Sequence, residues 1–230
     1  MYFDLTDTRL FEYLPGVILP AVGATVRMLF FSMLFGLILG SLTAVVLVVT
    51  SPFGLHPRPR LYRILGFSVN MIRSFPVIIL IVAMSPVTRA LVGTSIGEKA
   101  AIVPLTLAAF PVIARYMETS LLEVDHNVIL AARSFGAGNG QILWRVLLPE
   151  ALPSIVSGLT TTAILFLAST TLAGAVGAGG LGAVALTYGY QRFDDVMMYA
   201  IVLILFVMVL VIQTGGELLY RGLKNKGAKK

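Results

Sequence analysis

Residues Gly177 to Gly182, "GAGGLG", match the G-x-G-x-x-G pattern with which a glycine turn holds the pyrophosphate of a dinucleotide. That chemistry needs a strand before the turn, a helix after it and an acid about 20 residues further on to hold the ribose. Here an uncharged apolar run precedes the turn and the nearest acids are Asp194 and Asp195, so the pattern is no cofactor site. The glycines suit a close-packed hairpin in which a membrane helix meets its neighbours. Other chemistry is excluded by residue type. The chain has no cysteine, hence no disulfide, thiolate metal ligand or thiol nucleophile, and its two histidines, His56 and His126, are far apart in sequence. It has no G-x-x-x-x-G-K-[ST] phosphate loop, so any ATP-driven motor is a separate subunit. The chain is therefore read with no catalytic residue, no metal and no cofactor.

The elements that would position anything are apolar. Of 230 residues 57% are hydrophobic and 12% charged, more apolar content than one soluble core can bury, which marks a membrane protein in contact with lipid. A net charge of +6 could suggest nucleic acid, but five of the seventeen basic residues lie in the last ten positions and read as a membrane-surface anchor. Residues 1 to 14 carry Asp4, Asp7 and Glu12, unlike the basic start of a secretory signal, so the first apolar run is expected to remain as a helix. A crossing takes about 20 apolar residues. Five spans are predicted: residues 28–50, 62–92, 100–117, 153–173 and 196–216, the third kinked by Pro104 and Pro111.

Basic residues orient such a chain, because short cytoplasmic loops collect Lys and Arg. With five spans, Arg58, Arg60, Arg63, Arg115, Arg133, Arg145, Arg221, Lys224, Lys226, Lys229 and Lys230 share one side, and Arg9, Arg89, Lys99 and Arg192 share the other. Eleven against four places the C-terminus in the cytoplasm and the N-terminus outside.

Between spans three and four lies "LAARSFGAGNGQILWRVLLPEALPSI", residues 130 to 155. "VILAARSF" and "QILWRVLL" favour helix, "GAGNG" breaks it, and Pro149 marks the entry to the next span, which predicts two short helices around a glycine turn. Ile142, Leu143, Val146 and Leu147 gather on one face of the second helix while Gln141 and Arg145 point elsewhere. By pattern alone this is an amphipathic connector on the membrane surface.

Ala131, Ala132, Gly136, Val146, Leu148 and Pro149 follow the spacing of the EAA loop, and with it the chain resembles the permeases of bacterial ABC importers. "RSFPVIILIV", "LVGTSIGEKAAIVPLT", "VLLPEALP", "AGAVGAGGLG" and "YGYQRF" narrow the resemblance to the methionine-type importers. It implies an all-α, five-helix type I importer permease, a single transmembrane domain over residues 1–230 with a coupling loop at about 121–152. It also implies several partners: a cytoplasmic ABC ATPase, an extracytoplasmic substrate-binding lipoprotein, a second copy of the chain and the lipid of the bacterial inner membrane. Ala131, Ala132, Gly136, Leu148 and Pro149 are the implied coupling residues. Leu130 stands where the family has a glutamate, and Glu123 or Asp125 offers a replacement carboxylate.

Further residues are read from their own types. "GLILG", Gly36 to Gly40, extended by Ser32 and Ala44, makes a small-residue face suited either to close helix contact or to nothing beyond ordinary glycine usage. Arg73 is either a functional intramembrane charge or an arginine snorkelling to the cytoplasmic surface. The Thr and Ser residues of "TTTAILFLASTTLAG" can bond across helices or line a wet path, and Leu172 is the candidate for a dry constriction. The competing function is an ion-coupled secondary amino-acid transporter working without an ATPase. Such proteins use intramembrane carboxylates, and here no acid occurs between Tyr13 and Gly97 or between Ala151 and Phe193. A structural subunit fits the hydropathy but leaves the loop spacing unexplained.

Overall fold

The computed structural model describes residues 10–227, with side chains from 12 to 225. Asp4, Asp7, Arg9, Lys229 and Lys230, and the Lys226 side chain, lie outside the described residues. Helix α1 (Leu14–Thr50) follows a turn of helix at Leu10–Tyr13. Then come α2 (Pro59–Arg73), α3 (Val77–Ala83), α4 (Ser85–Val92), α5 (Glu98–Leu122), α6 (His126–Ser134), α7 (Asn139–Ala178), α8 (Gly180–Val184) and α9 (Asp195–Gly227). Four of these, α1, α5, α7 and α9, are long and apolar enough to cross a membrane, and α2 with α3 makes a fifth if that bent pair is one span.

Several boundaries depart from the sequence expectation. The first span begins at Leu14 rather than residue 28, because Arg27, which interrupts the apolar run, is paired: its Nε and Nη2 donate to the Glu98 carboxylate at 3.2 and 2.8 Å. The second span is not one helix. It breaks at Ser74–Pro76 with a bend of 95°, since Pro76 lacks an amide to continue α2 and holds the residue before it out of the helical region. By contrast α5 runs as a single element from Glu98 to Leu122 through both of its prolines. The predicted second short helix of the loop is the start of α7, which continues past Pro149. A wide turn at Leu143–Leu147, with the Leu148 amide donating to the Leu143 carbonyl, accommodates the proline ring.

The chain packs as two compact units. One comprises residues 1–35, 75–108 and 163–212. Its core gathers Ile18, Ala21, Leu181, Val184, Met197 and Ile201. In it the buried Thr25 hydroxyl accepts from the Leu181 amide at 2.9 Å, and the Gly97 amide donates to the Gly177 carbonyl at 2.9 Å. The other unit comprises residues 36–74, 109–162 and 213–230. There Gly36 and Gly40 of α1 lie against α5 so closely that an added side-chain carbon would stand 2.8 Å from Ala109 Cβ and 2.9 Å from the Phe110 carbonyl oxygen. The small-residue face is thus a helix contact, with Ala44 on the same stripe fully buried. Without water to expel inside lipid, such contacts hold helices by close approach and dispersion. The Ser120 hydroxyl bonds that of Ser154 at 3.0 Å, joining α5 to α7 in the same unit.

Candidate functional site

Three residues separate α5 from α6. Asp125 caps α6, its carboxylate accepting from the Asn127 amide at 2.8 Å, which satisfies an end donor that helix geometry leaves free. That carboxylate is engaged in the cap, while Glu123 is exposed. Helix α6 buries none of its residues: Ala131 and Leu130 are exposed and Ala132 is half-buried. Beneath it is an apolar cavity of about 390 Å³ bounded by Leu55, Leu121, Ile129 and Leu147, with His126 at its wall. Helix α6 is therefore weakly held by its own chain and available to another surface.

The turn from α6 to α7 is built on Gly136, whose φ of +81° falls in the left-handed region that favours glycine. Nothing lies within 4 Å of where its side chain would be. The chain then re-enters helix at Asn139, with the Gln141 side-chain oxygen accepting from the Gly138 amide at 3.0 Å. Asn139 donates to the Leu55 carbonyl at 3.1 Å, bracing the turn against the loop after α1. Ile142, Leu143 and Leu147 are buried, Val146 is half-buried, and Gln141 and Arg145 are exposed, as the sequence pattern predicts. Leu148 is half-buried and Pro149 exposed. Two residues on this surface escape sequence reasoning, Phe135 at 92% exposure and Trp144 at 63%. An apolar ring beside a glycine turn reads as core in a hydrophobic chain, and only exposure distinguishes it.

Along α7, residues Ser157, Thr161, Leu165, Ala168, Leu172 and Ala175 are exposed at steps of three or four residues. This stripe is small and partly polar. The exposed face of α9, with Tyr199, Val202, Leu203, Phe206, Val207 and Leu210, is bulky and apolar, the composition of a surface against lipid. Leu172 lies on the small stripe, two residues before Gly174. The hydroxyls between Thr160 and Thr171 are bonded within α7 rather than across helices. Thr160, Thr161, Thr162, Ser169, Thr170 and Thr171 all donate to carbonyls three or four residues back in the same helix, at 2.6 to 3.2 Å. Arg73 ends α2 and is exposed, apart from both the small stripe and the Gly136 turn in sequence. Among the described residues no cluster of three or more His, Cys, Asp or Glu could hold a metal ion.

Comparison with known proteins adds to this geometry. The family of binding-protein-dependent transport system inner membrane components matches residues 36–225. The chain is 43% identical over 221 residues to the probable D-methionine transport system permease protein MetI of Vibrio cholerae serotype O1, covering 96% of this chain and 98% of that one. It is 42% identical over 175 residues to the methionine import system permease protein MetP of Bacillus subtilis, covering 76% and 78%. A solved structure of the MetNI methionine ABC transporter in an inward-facing conformation superposes with a TM-score of 0.89 at 42% identity, over 92% of this chain and 98% of that one.

Proposed function

The chain belongs to the binding-protein-dependent transport system inner membrane components, and on that premise we propose that it is the permease through which an ATP-driven importer moves methionine. It is a multi-pass protein of the bacterial inner membrane. In the proposed assembly two copies surround one path, a separate cytoplasmic ATPase drives them, and an extracytoplasmic binding lipoprotein delivers the substrate. The observation that carries this reading is the likeness to the Vibrio cholerae permease along 96% of the chain, coupling segment included.

The assignments within the chain follow. Ala131, Ala132, Gly136, Leu148 and Pro149 form the surface seated on the ATPase, supported by the exposure of α6 and the open turn. Phe135 and Trp144 join them, since exposed aromatics next to an ordered turn are the usual anchors of an interface. Leu172 narrows the path from the small stripe of α7, and Arg73 serves the pore by its charge. The N-terminus faces outward and the C-terminus inward, an orientation that rests on the eleven-to-four division of basic residues.

The test reconstitutes the chain in proteoliposomes with and without its ATPase, the binding protein and radiolabelled methionine supplied outside. Accumulation is expected only with ATPase and trapped ATP. Uptake by the lone chain driven by a pH gradient refutes the importer and restores the ion-coupled transporter. ATP-driven uptake of another amino acid that methionine does not inhibit overturns the substrate alone. A cytoplasm-only reporter that lights at the N-terminus inverts the topology.

A further inference from the structure

A polar network around Arg115 joins α5 to α2. Arg115 of α5 donates from Nη1 to Glu118 Oε2 at 2.7 Å, from Nη2 to the Gly66 carbonyl at 2.9 Å and from Nε to Asn70 Oδ1 at 3.2 Å. Gly66 and Asn70 are one helical turn apart, so the flat guanidinium fork grips one face of α2 at two levels. Tyr62, one turn earlier, interacts with the same Glu118 carboxylate. Room for the fork comes from Gly66, where a side-chain carbon would stand 3.1 Å from Arg115 Nη2. The Glu118 side chain is 4% exposed and that of Arg115 21%.

The ion pair to Glu118 lies within α5 and joins no helices; it neutralises an arginine whose other bonds cross to α2, because a buried charge left unpaired is costly. Ionisable groups kept inside a membrane protein are functional by default. What the fork supplies is a fixed register between two helices. At one end of this grip, α5 runs on through three residues to Asp125, the cap of α6. At the other, Asn70 lies in the last turn of α2, where its carbonyl accepts from both the amide and the hydroxyl of Ser74, next to the break.

We infer that Arg115 is a positioning residue for transport: it locks α2 to α5 so that displacement of α6 by the motor moves the break after α2, with Glu118 neutralising it and Gly66 and Asn70 receiving it. This rests on the importer reading above. A lysine at 115 keeps the charge beside Glu118 but cannot bridge two acceptors on α2. The register is then loose while the motor still docks.

ATP hydrolysis and methionine uptake are measured together on the complete complex in proteoliposomes, for the native chain, Arg115→Lys, Asn70→Ala and Asn70→Asp. Arg115→Lys is expected to raise the ATP consumed per methionine imported roughly tenfold, with assembly retained. Asn70→Ala, which deletes a single exposed acceptor, should raise it less, and Asn70→Asp should hold it at the native ratio because a carboxylate accepts the same bond. A helix contact of merely structural importance would lower the yield of complex and leave this ratio alone. An unchanged ratio in both Arg115→Lys and Asn70→Ala overturns the inference. If Arg115→Lys fails to assemble, the Asn70 pair decides, equal ratios for Ala and Asp again overturning it. A native complex that hydrolyses ATP without importing anything indicts the importer reading instead.

Discussion

A side-chain carbon added at Gly136 would meet nothing within 4 Å, whereas one added at Gly182 would lie 2.7 Å from the Thr171 Cα, closer than real side-chain carbons come. Both turns are rich in glycine and both follow a helix, yet the residue serves different needs. In the α6–α7 turn Gly136 provides a left-handed backbone at an open surface. In the hairpin from α7 to α8 the missing carbon is the point: Gly174 faces the Ala183 amide and Gly182 faces Thr171, so two helices close on each other backbone to backbone. A glycine in a sequence does not say which of the two is at work. The surroundings do, and they divide a packed turn from an open one.

Substitution by alanine should separate the two kinds in order. Gly182→Ala drives a carbon into the Thr171 backbone, which cannot yield as a side chain would, and should destabilise the protein by about 3 kcal/mol, read as a large fall in detergent melting temperature. Gly174→Ala, with 2.6 Å to the Ala183 amide nitrogen, should follow at about 2 kcal/mol. An unshifted melt in either would dissolve the distinction. Gly136→Ala should lose only about 1 kcal/mol, the strain of a left-handed alanine. Its companion Gly136→Trp should melt no lower than that while failing to retain the ATPase on a size-exclusion column. Gly140→Ala is the smallest change and opposite in sign. It lies within α7 with open space around it, so alanine should stabilise by about 0.5 kcal/mol and leave assembly intact.

Much of the fold is legible because membrane spans need little information. Apolar length alone finds α1, α5, α7 and α9, and the spacing of Gly36, Gly40 and Ala44 finds the face α1 turns to α5. Bends are harder. Pro76 breaks its span while Pro104 and Pro111 do not, because the effect of a proline depends on whether surrounding helices and wide turns absorb the missing amide. Charges inside spans are harder still. Arg27 reads as a boundary until Glu98, distant in sequence, is found beside it. Arg115 reads as one more basic residue near the cytoplasmic side. A signal for its partner was present, since Tyr62, Gly66 and Asn70 repeat every four residues along one stripe of α2, but nothing in the sequence ties that stripe to α5. Of the α6–α7 segment, the helix-turn-helix order and the buried face of Ile142, Leu143 and Leu147 were legible, while the exposure of Phe135 and Trp144 was not.

The back-bonded hydroxyls of α7 bear on how fast a solute can leave. Six Ser and Thr protons are already held by carbonyls of their own helix. Their oxygens retain lone pairs, but they offer no free donor. Thr161, the one of the six on the exposed stripe, would offer an amino acid on the proposed path a weak acceptor for its ammonium group and no donor for its carboxylate. Dwell time along such a wall is short, because a wall that binds strongly becomes a trap. Saturation of import should then track the affinity of the delivering protein, and the permease itself should show no measurable retention of methionine at concentrations that saturate transport.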